Sequence, residues 1–148
     1  MATLILDIAL LVLCFLVCAI DIFKREIYNL YTVLLFLVAL IYNIHSPLDI
    51  MFSLSVCIVI SILLFIFSIW SGGDSKLLIA LTPFFAPEQL LDFYVATLFS
   101  GGVLSLIYIV KYRVILNKSI ESGLPYGVAI IFGAHLSLYF SQGLTIYS

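Results

Sequence analysis

Eight carboxylates are spread through 148 residues, and two of them, Asp21 and Asp74, are placed where they suit chemistry. Asp21 closes the first long apolar run, and Asp74 stands in "SGGDSK" between two further runs. Two carboxylates gathered at one face can activate water. One, ionised, takes a proton from it, while the other, protonated, polarises the carbonyl under attack. Each also has a plainer reading. Asp21 lies three and four residues before Lys24 and Arg25 and can pair with them along one helical face. Asp74 can cap the helix that follows it, with Lys76 nearby. Gly72 and Gly73 weigh against the cap alone, because close approach of the backbone to a substrate or a second helix favours residues without a side chain. Ser71, Gly72, Gly73 and Lys76 therefore read with Asp74 as one supporting loop.

The remaining reactive groups have ordinary explanations. Asp49, Glu88 and Asp92 fall in turns and read as solvated charges or helix caps. Glu26 and Glu121 read as solvated on the same side as Asp21, and Asp7 lies inside the first apolar run, near its outer end. His45 is in a turn and His135 in the last apolar run, so a shared metal site would draw on opposite faces. Cys14, Cys18 and Cys57 all sit in apolar runs without a CxxC pair, which suits core packing better than a disulfide or zinc site. Neither a metal nor another cofactor is expected. No serine stands beside a convincing base, and the glycines of "GLPYGVAIIFG" are spaced for close helix packing rather than for a nucleophile elbow.

The elements that must position these residues follow from composition. The chain is 65% hydrophobic and 9% charged, with a mean hydropathy of +1.32, far too apolar for a soluble domain. An all-α integral membrane protein is expected, residues 1–148 forming a single membrane-embedded domain with the lipid bilayer as a partner and no basis for a nucleic-acid one. A helix crosses a bilayer with roughly 20 apolar residues. That ruler gives spans at Thr3–Ile20, Ile27–Ile44, Ile50–Trp70, Leu90–Val110 and Pro125–Phe140, and a short apolar run at Leu77–Ala86. The start lacks the basic region and small-residue cleavage site of a signal peptide, so the first run reads as a permanent span.

Basic residues stay on the cytoplasmic side of short loops. Lys24, Arg25, Lys76, Lys111, Arg113 and Lys118 all satisfy this rule if the N-terminus is outside and the short run also crosses, which makes six spans. The short fourth helix, Ser75–Pro87, covers roughly 20 Å of a core about 30 Å thick. Either its outer turn dips into the membrane against protein, or Asp74 lies below the cytoplasmic surface. Irregular backbone is tolerated at that depth only in protein or beside water, so a cytoplasm-facing aqueous pocket is expected at Asp74.

Three segments, "DIFKREIYN" (21–29), "SGGDSKLLIAL" (71–81) and "LPYGVAI" (124–130), resemble the signature segments of the type IV prepilin peptidases, the A24 family of GxGD membrane aspartyl proteases. Order and membrane position match along essentially the whole chain, and the short length resembles the members associated with tight-adherence, Flp-type pili. Two positions depart from the pattern: Ser71 replaces the first glycine of GxGD, and Tyr28 stands where a proline is usual. The resemblance implies a cytoplasm-facing endopeptidase of the inner membrane that removes the basic leader from pilin-like precursors, with Asp21 and Asp74 catalytic and no cofactor. N-methyltransferase activity is not expected, since the chain opens directly with a span and not with a cysteine-bearing segment. By charge sign alone, Glu26 and Glu121 are the candidates for leader contacts. Two rival classes remain open from the residues: a small transporter using Asp7, Asp21 and Asp74 as a proton or cation path, and a non-catalytic assembly subunit of a pilus or secretion machine.

Overall fold

The computed structural model describes residues 2–42, 47–115 and 124–144; His45, Lys118 and Glu121 fall outside them. Six α-helices form the described fold: α1 (Ala2–Lys24), α2 (Asn29–Tyr42), α3 (Pro47–Ile66), α4 (Gly72–Leu81), α5 (Leu90–Ile109) and α6 (Tyr126–Leu144). Among the described residues there is no strand. The expected order of one short helix among five longer ones is observed. Three apolar helical stretches are long enough to cross a membrane, Ile5–Lys24, Pro47–Ile66 and Pro87–Arg113. Only 17% to 22% of the residues in these stretches are buried, so apolar side chains such as Phe15, Phe65 and Phe99 face outward. Outward apolar surface on this scale belongs in lipid, and this is a membrane protein.

Helix α4 is the exception in both length and burial. Its ten residues span about 15 Å, and it packs against α2, α3 and α6 with Leu77, Leu78, Ala80 and Leu81 almost wholly enclosed. With these apolar residues enclosed on three sides, α4 lies inside the bundle, and only its N-terminal half carries charged residues, Asp74 and Lys76. The expected limits, Ser75–Pro87, are displaced at both ends. The helix starts three residues early, at Gly72, because Ser71 caps it. At the other end Pro83, which has no amide hydrogen to continue the ladder, falls in a 3-10 turn at Thr82–Phe84.

Both ends of α4 are also drawn into protein. Asp74 is buried at the start. Beyond the 3-10 turn, Phe85 is buried and stacks on Phe93 of α5 at 4.3 Å. The Phe85 carbonyl accepts a hydrogen bond from Ser53 Oγ of α3 at 3.2 Å, so the irregular backbone there is satisfied internally, as it must be away from water.

Two helix ends are fixed by residues in the left-handed region. Helix α3 stops at Ile66, four residues short of the expected Trp70, because Ser68 adopts φ 55°. The Ile69 amide then bonds the Leu64 carbonyl at 2.9 Å and the Ser68 amide the Phe65 carbonyl at 2.9 Å, the paired bonds of a Schellman cap. Helix α1 runs to Lys24, four residues past the expected Ile20, and closes with Arg25 at φ 58°. The Arg25 amide bonds the Asp21 carbonyl at 3.1 Å, an αL cap. Asp21 is thus held inside the last turn of α1 rather than in the loop beyond it.

Candidate active site

The ends of α1, α2, α4 and α6 meet around a cavity of about 610 Å³. It is lined by Asp21 and Arg25 from the end of α1, by Glu26, Ile27, Tyr28 and Asn29 leading into α2, by Ser71, Gly73, Asp74 and Lys76 at the start of α4, and by Leu124 before α6. Asp21 is 5% exposed and Asp74 8%, and both line this one cavity. A cavity is thus present at Asp74, and Asp21 lines it too.

The Asp74 loop is built by a reciprocal cap. Ser71 Oγ accepts from the Asp74 amide at 3.3 Å, and Asp74 Oδ2 accepts from the Ser71 amide at 3.1 Å. The two satisfy one another's open backbone donors in a capping box. Asp74 is therefore not the N-cap that its position after two glycines allowed; it is the third helical residue, and Ser71 is the cap. Ser71 sits at φ −77° and ψ 161°, an ordinary extended conformation in which serine is not strained, so its replacement of a glycine leaves the loop intact. Ser71→Ala should lower stability by about 1 kcal/mol and Ser71→Gly by only a few tenths, read as midpoint shifts in thermal unfolding of the detergent-solubilised protein.

The segments carrying the two acids are also tied together. Lys76 Nζ donates to Asn29 Oδ1 at 3.0 Å, joining α4 to the start of α2. The Tyr28 carbonyl accepts from the Tyr31 amide at 3.2 Å, so the backbone enters α2 without the proline usual at position 28. Ile27 fits between two glycines: a Cβ added at Gly73 would lie 3.4 Å from Ile27 Cβ, and one at Gly127 would lie 3.1 Å from Ile27 Cδ1.

The two basic residues that follow the Asp21 turn also reach tyrosines. Lys24 Nζ donates to Tyr28 Oη at 3.4 Å, and Arg25 Nη2 donates to Tyr108 Oη of α5 at 3.4 Å, its guanidinium 5.4 Å from the centre of that ring. The first turn of α6 faces Asp21, and a Cβ added at Gly127 would lie 2.8 Å from its Oδ2. Asp21 Oδ2 is buried and has no hydrogen-bond partner among the described residues.

Glu26 lines the cavity and is exposed. Asp7 is exposed on α1 and is not part of the cavity lining. His135 Nδ1 is 2.9 Å from the Ile131 carbonyl on its own helix, the hydrogen-bonded histidine expected. Cys14, Cys18 and Cys57 are free thiols, the first and last buried.

Asn29 and the start of α6 were not singled out by sequence reasoning as parts of the site. Both lie in the quoted signature segments. Asn29 closes the first and shows its role only once Lys76 is beside it, whereas the Gly127 spacing reads equally well as helix packing.

The fold and cavity define a class: a helical membrane protein with two buried acids in a polar cavity at one end of its bundle. Residues 8–110 match the type IV leader peptidase family, and the chain belongs to that family. The matched stretch contains both acids and both loops that carry them, and stops before the segment at 124–130. Comparison with curated proteins and with solved structures returned no match. Family membership makes the protein a protease of leader peptides, which leaves the transporter reading without support.

Proposed function

We propose that this protein is an aspartic-type endopeptidase that cleaves the leader from type IV pilin-like precursors, using Asp21 and Asp74 to activate water. The observation that carries this reading is the burial of both carboxylates, from different helices, in the wall of one cavity. One carboxylate of the pair is ionised and takes a proton from water as the water oxygen bonds to the scissile carbonyl carbon. The other, protonated, gives its proton to the carbonyl oxygen, leaving a neutral gem-diol. On collapse the first carboxyl passes its proton to the leaving nitrogen as the C–N bond breaks, and the second recovers one from the diol. The pair returns to its starting state.

The enzyme is placed in the inner membrane with its N-terminus outside and α4 as one of six crossings, because only then do all the flanking basic residues lie on the cytoplasmic side. The cavity then faces the cytoplasm. The apolar segment of the precursor lies against the bundle in the bilayer, and its polar leader reaches the cavity. Glu26, exposed at the cavity wall, is the candidate contact for a basic leader; Glu121 remains a candidate on charge alone. Ser71, as a working cap, gives no support to a decayed, non-catalytic subunit.

The test is cleavage of a pilin-like precursor by the purified enzyme in detergent or proteoliposomes, comparing wild type with Asp21→Asn and Asp74→Asn. Loss of product in both is expected. Cleavage by either variant at the wild-type rate would sink the two-aspartate reading. Because both proton transfers are assigned to side chains, the wild-type rate should also be unchanged by a divalent-metal chelator, measured in the same assay.

A further inference from the structure

We infer that the first turn of α6, through Gly127, is a positioning element for the acid pair, holding the Asp21 side chain at the cavity wall by the absence of a side chain of its own. This rests on the reading of Asp21 as one of the catalytic acids.

The Asp21 carboxylate lies directly against this turn. A Cβ at Gly127 would fall 2.8 Å from Asp21 Oδ2, closer than a real side chain stands, and 3.2 Å from Asp21 Cγ, a tight contact. The carboxylate can occupy its place only because residue 127 is glycine. Gly127 has no φ in the left-handed region, so backbone freedom does not explain the residue; space does. The Oδ2 that this bare backbone faces is buried and has no hydrogen-bond partner among the described residues.

Neighbouring residues fix the turn against the rest of the site. Pro125 is fully buried, which anchors the start of α6. The Tyr126 ring lies 5.7 Å from that of Trp70, the residue immediately before the Ser71 cap. Tyr126 also fills the space beside Gly101 of α5, where an added Cβ would come within 2.6 Å of Tyr126 Cζ. One turn thus touches Asp21 directly and reaches the Asp74 loop through Trp70. Ile27, packed between Gly73 and Gly127, completes the link between all three segments.

The group that Gly127→Ala displaces is the far end of a side chain, not backbone. Asp21 can swing aside without parting helices, so the variant should fold and lose rate. A carboxylate misplaced by about 1 Å costs on the order of 100-fold. In precursor cleavage by the full-length enzyme, we expect Gly127→Ala to lower kcat by roughly that factor with KM within about twofold. Phe93→Leu, which loosens the stacked Phe85–Phe93 pair at the other end of α4, serves as the destabilised control and should keep the wild-type kcat. If Gly127→Ala does not accumulate, Tyr126→Leu is read in the same way, with the same split between kcat and KM expected.

Wild-type kcat in Gly127→Ala, or a fall in kcat matched by Phe93→Leu at equal loss of thermal stability, would overturn the positioning role. Asp21→Asn in the same assay separates the two levels. If Asp21→Asn is inactive while Gly127→Ala is normal, only the positioning role fails; if Asp21→Asn is active, the acid-pair reading itself is lost.

Discussion

Asp21→Asn and Asp74→Asn should each reduce kcat for leader cleavage by at least about 1,000-fold, and the double variant should be scarcely slower than either single one. General acid–base catalysis by one positioned group supplies roughly 100- to 10,000-fold. In the proposed dyad each carboxyl both gives and receives a proton in every turnover, so losing one disables the cycle of the other. Groups that act as a unit show strongly non-additive losses. Asparagine preserves size and polarity but cannot carry the proton, which keeps the change chemical rather than steric. The measurement is single-turnover cleavage of a precursor, with thermal unfolding to show that each variant is folded. Two independent losses that multiply would indicate that the acids work on separate steps.

The largest expected effect on stability lies on the other side of α6. Gly133 faces α5 so closely that an added Cβ would lie 2.6 Å from Thr97 Cα and 2.7 Å from its amide nitrogen. Backbone cannot swing aside as a carboxylate can. Gly133→Ala must therefore push α5 and α6 apart, and theirs is the most extensive helix pairing described in the bundle. Overpacking of this kind costs about 3 kcal/mol. Gly102→Ala makes the useful contrast, since nothing lies within 4 Å of a Cβ there. It should be neutral or stabilise α5 by up to about 1 kcal/mol, because glycine inside a helix is less favourable than alanine. Equilibrium unfolding in mixed detergent micelles would rank the three proteins, with Gly133→Ala lowest and Gly102→Ala at or above wild type.

The sequence carried the helix order because apolar length is a strong local signal: a long run without charges has few alternatives to a helix in lipid. Charges marked where those runs break, whereas Pro83 fell inside the expected fourth helix and was not read as its end. The limits of individual helices were less legible. Ser68 and Arg25, neither of them glycine, adopt the left-handed conformations that end α3 and α1, and side chains of this kind rarely announce such a turn. Ser71 looked like a substitution in a glycine motif and acts as a cap, a role that depends on Asp74 folding back to its amide.

For the site, residue type and spacing singled out Asp21, Asp74 and the loop around Asp74, because ionisable groups at the ends of apolar runs have few unremarkable uses in a membrane protein. That information is local, and one chain read along its length supplies it. Only the tertiary structure brought the two acids to one cavity, placed Lys76 on Asn29, and set Gly127 against Asp21. Those contacts join residues 47 to 106 positions apart. No periodicity or composition encodes them, since they exist only when α1, α2, α4 and α6 have packed around the same space.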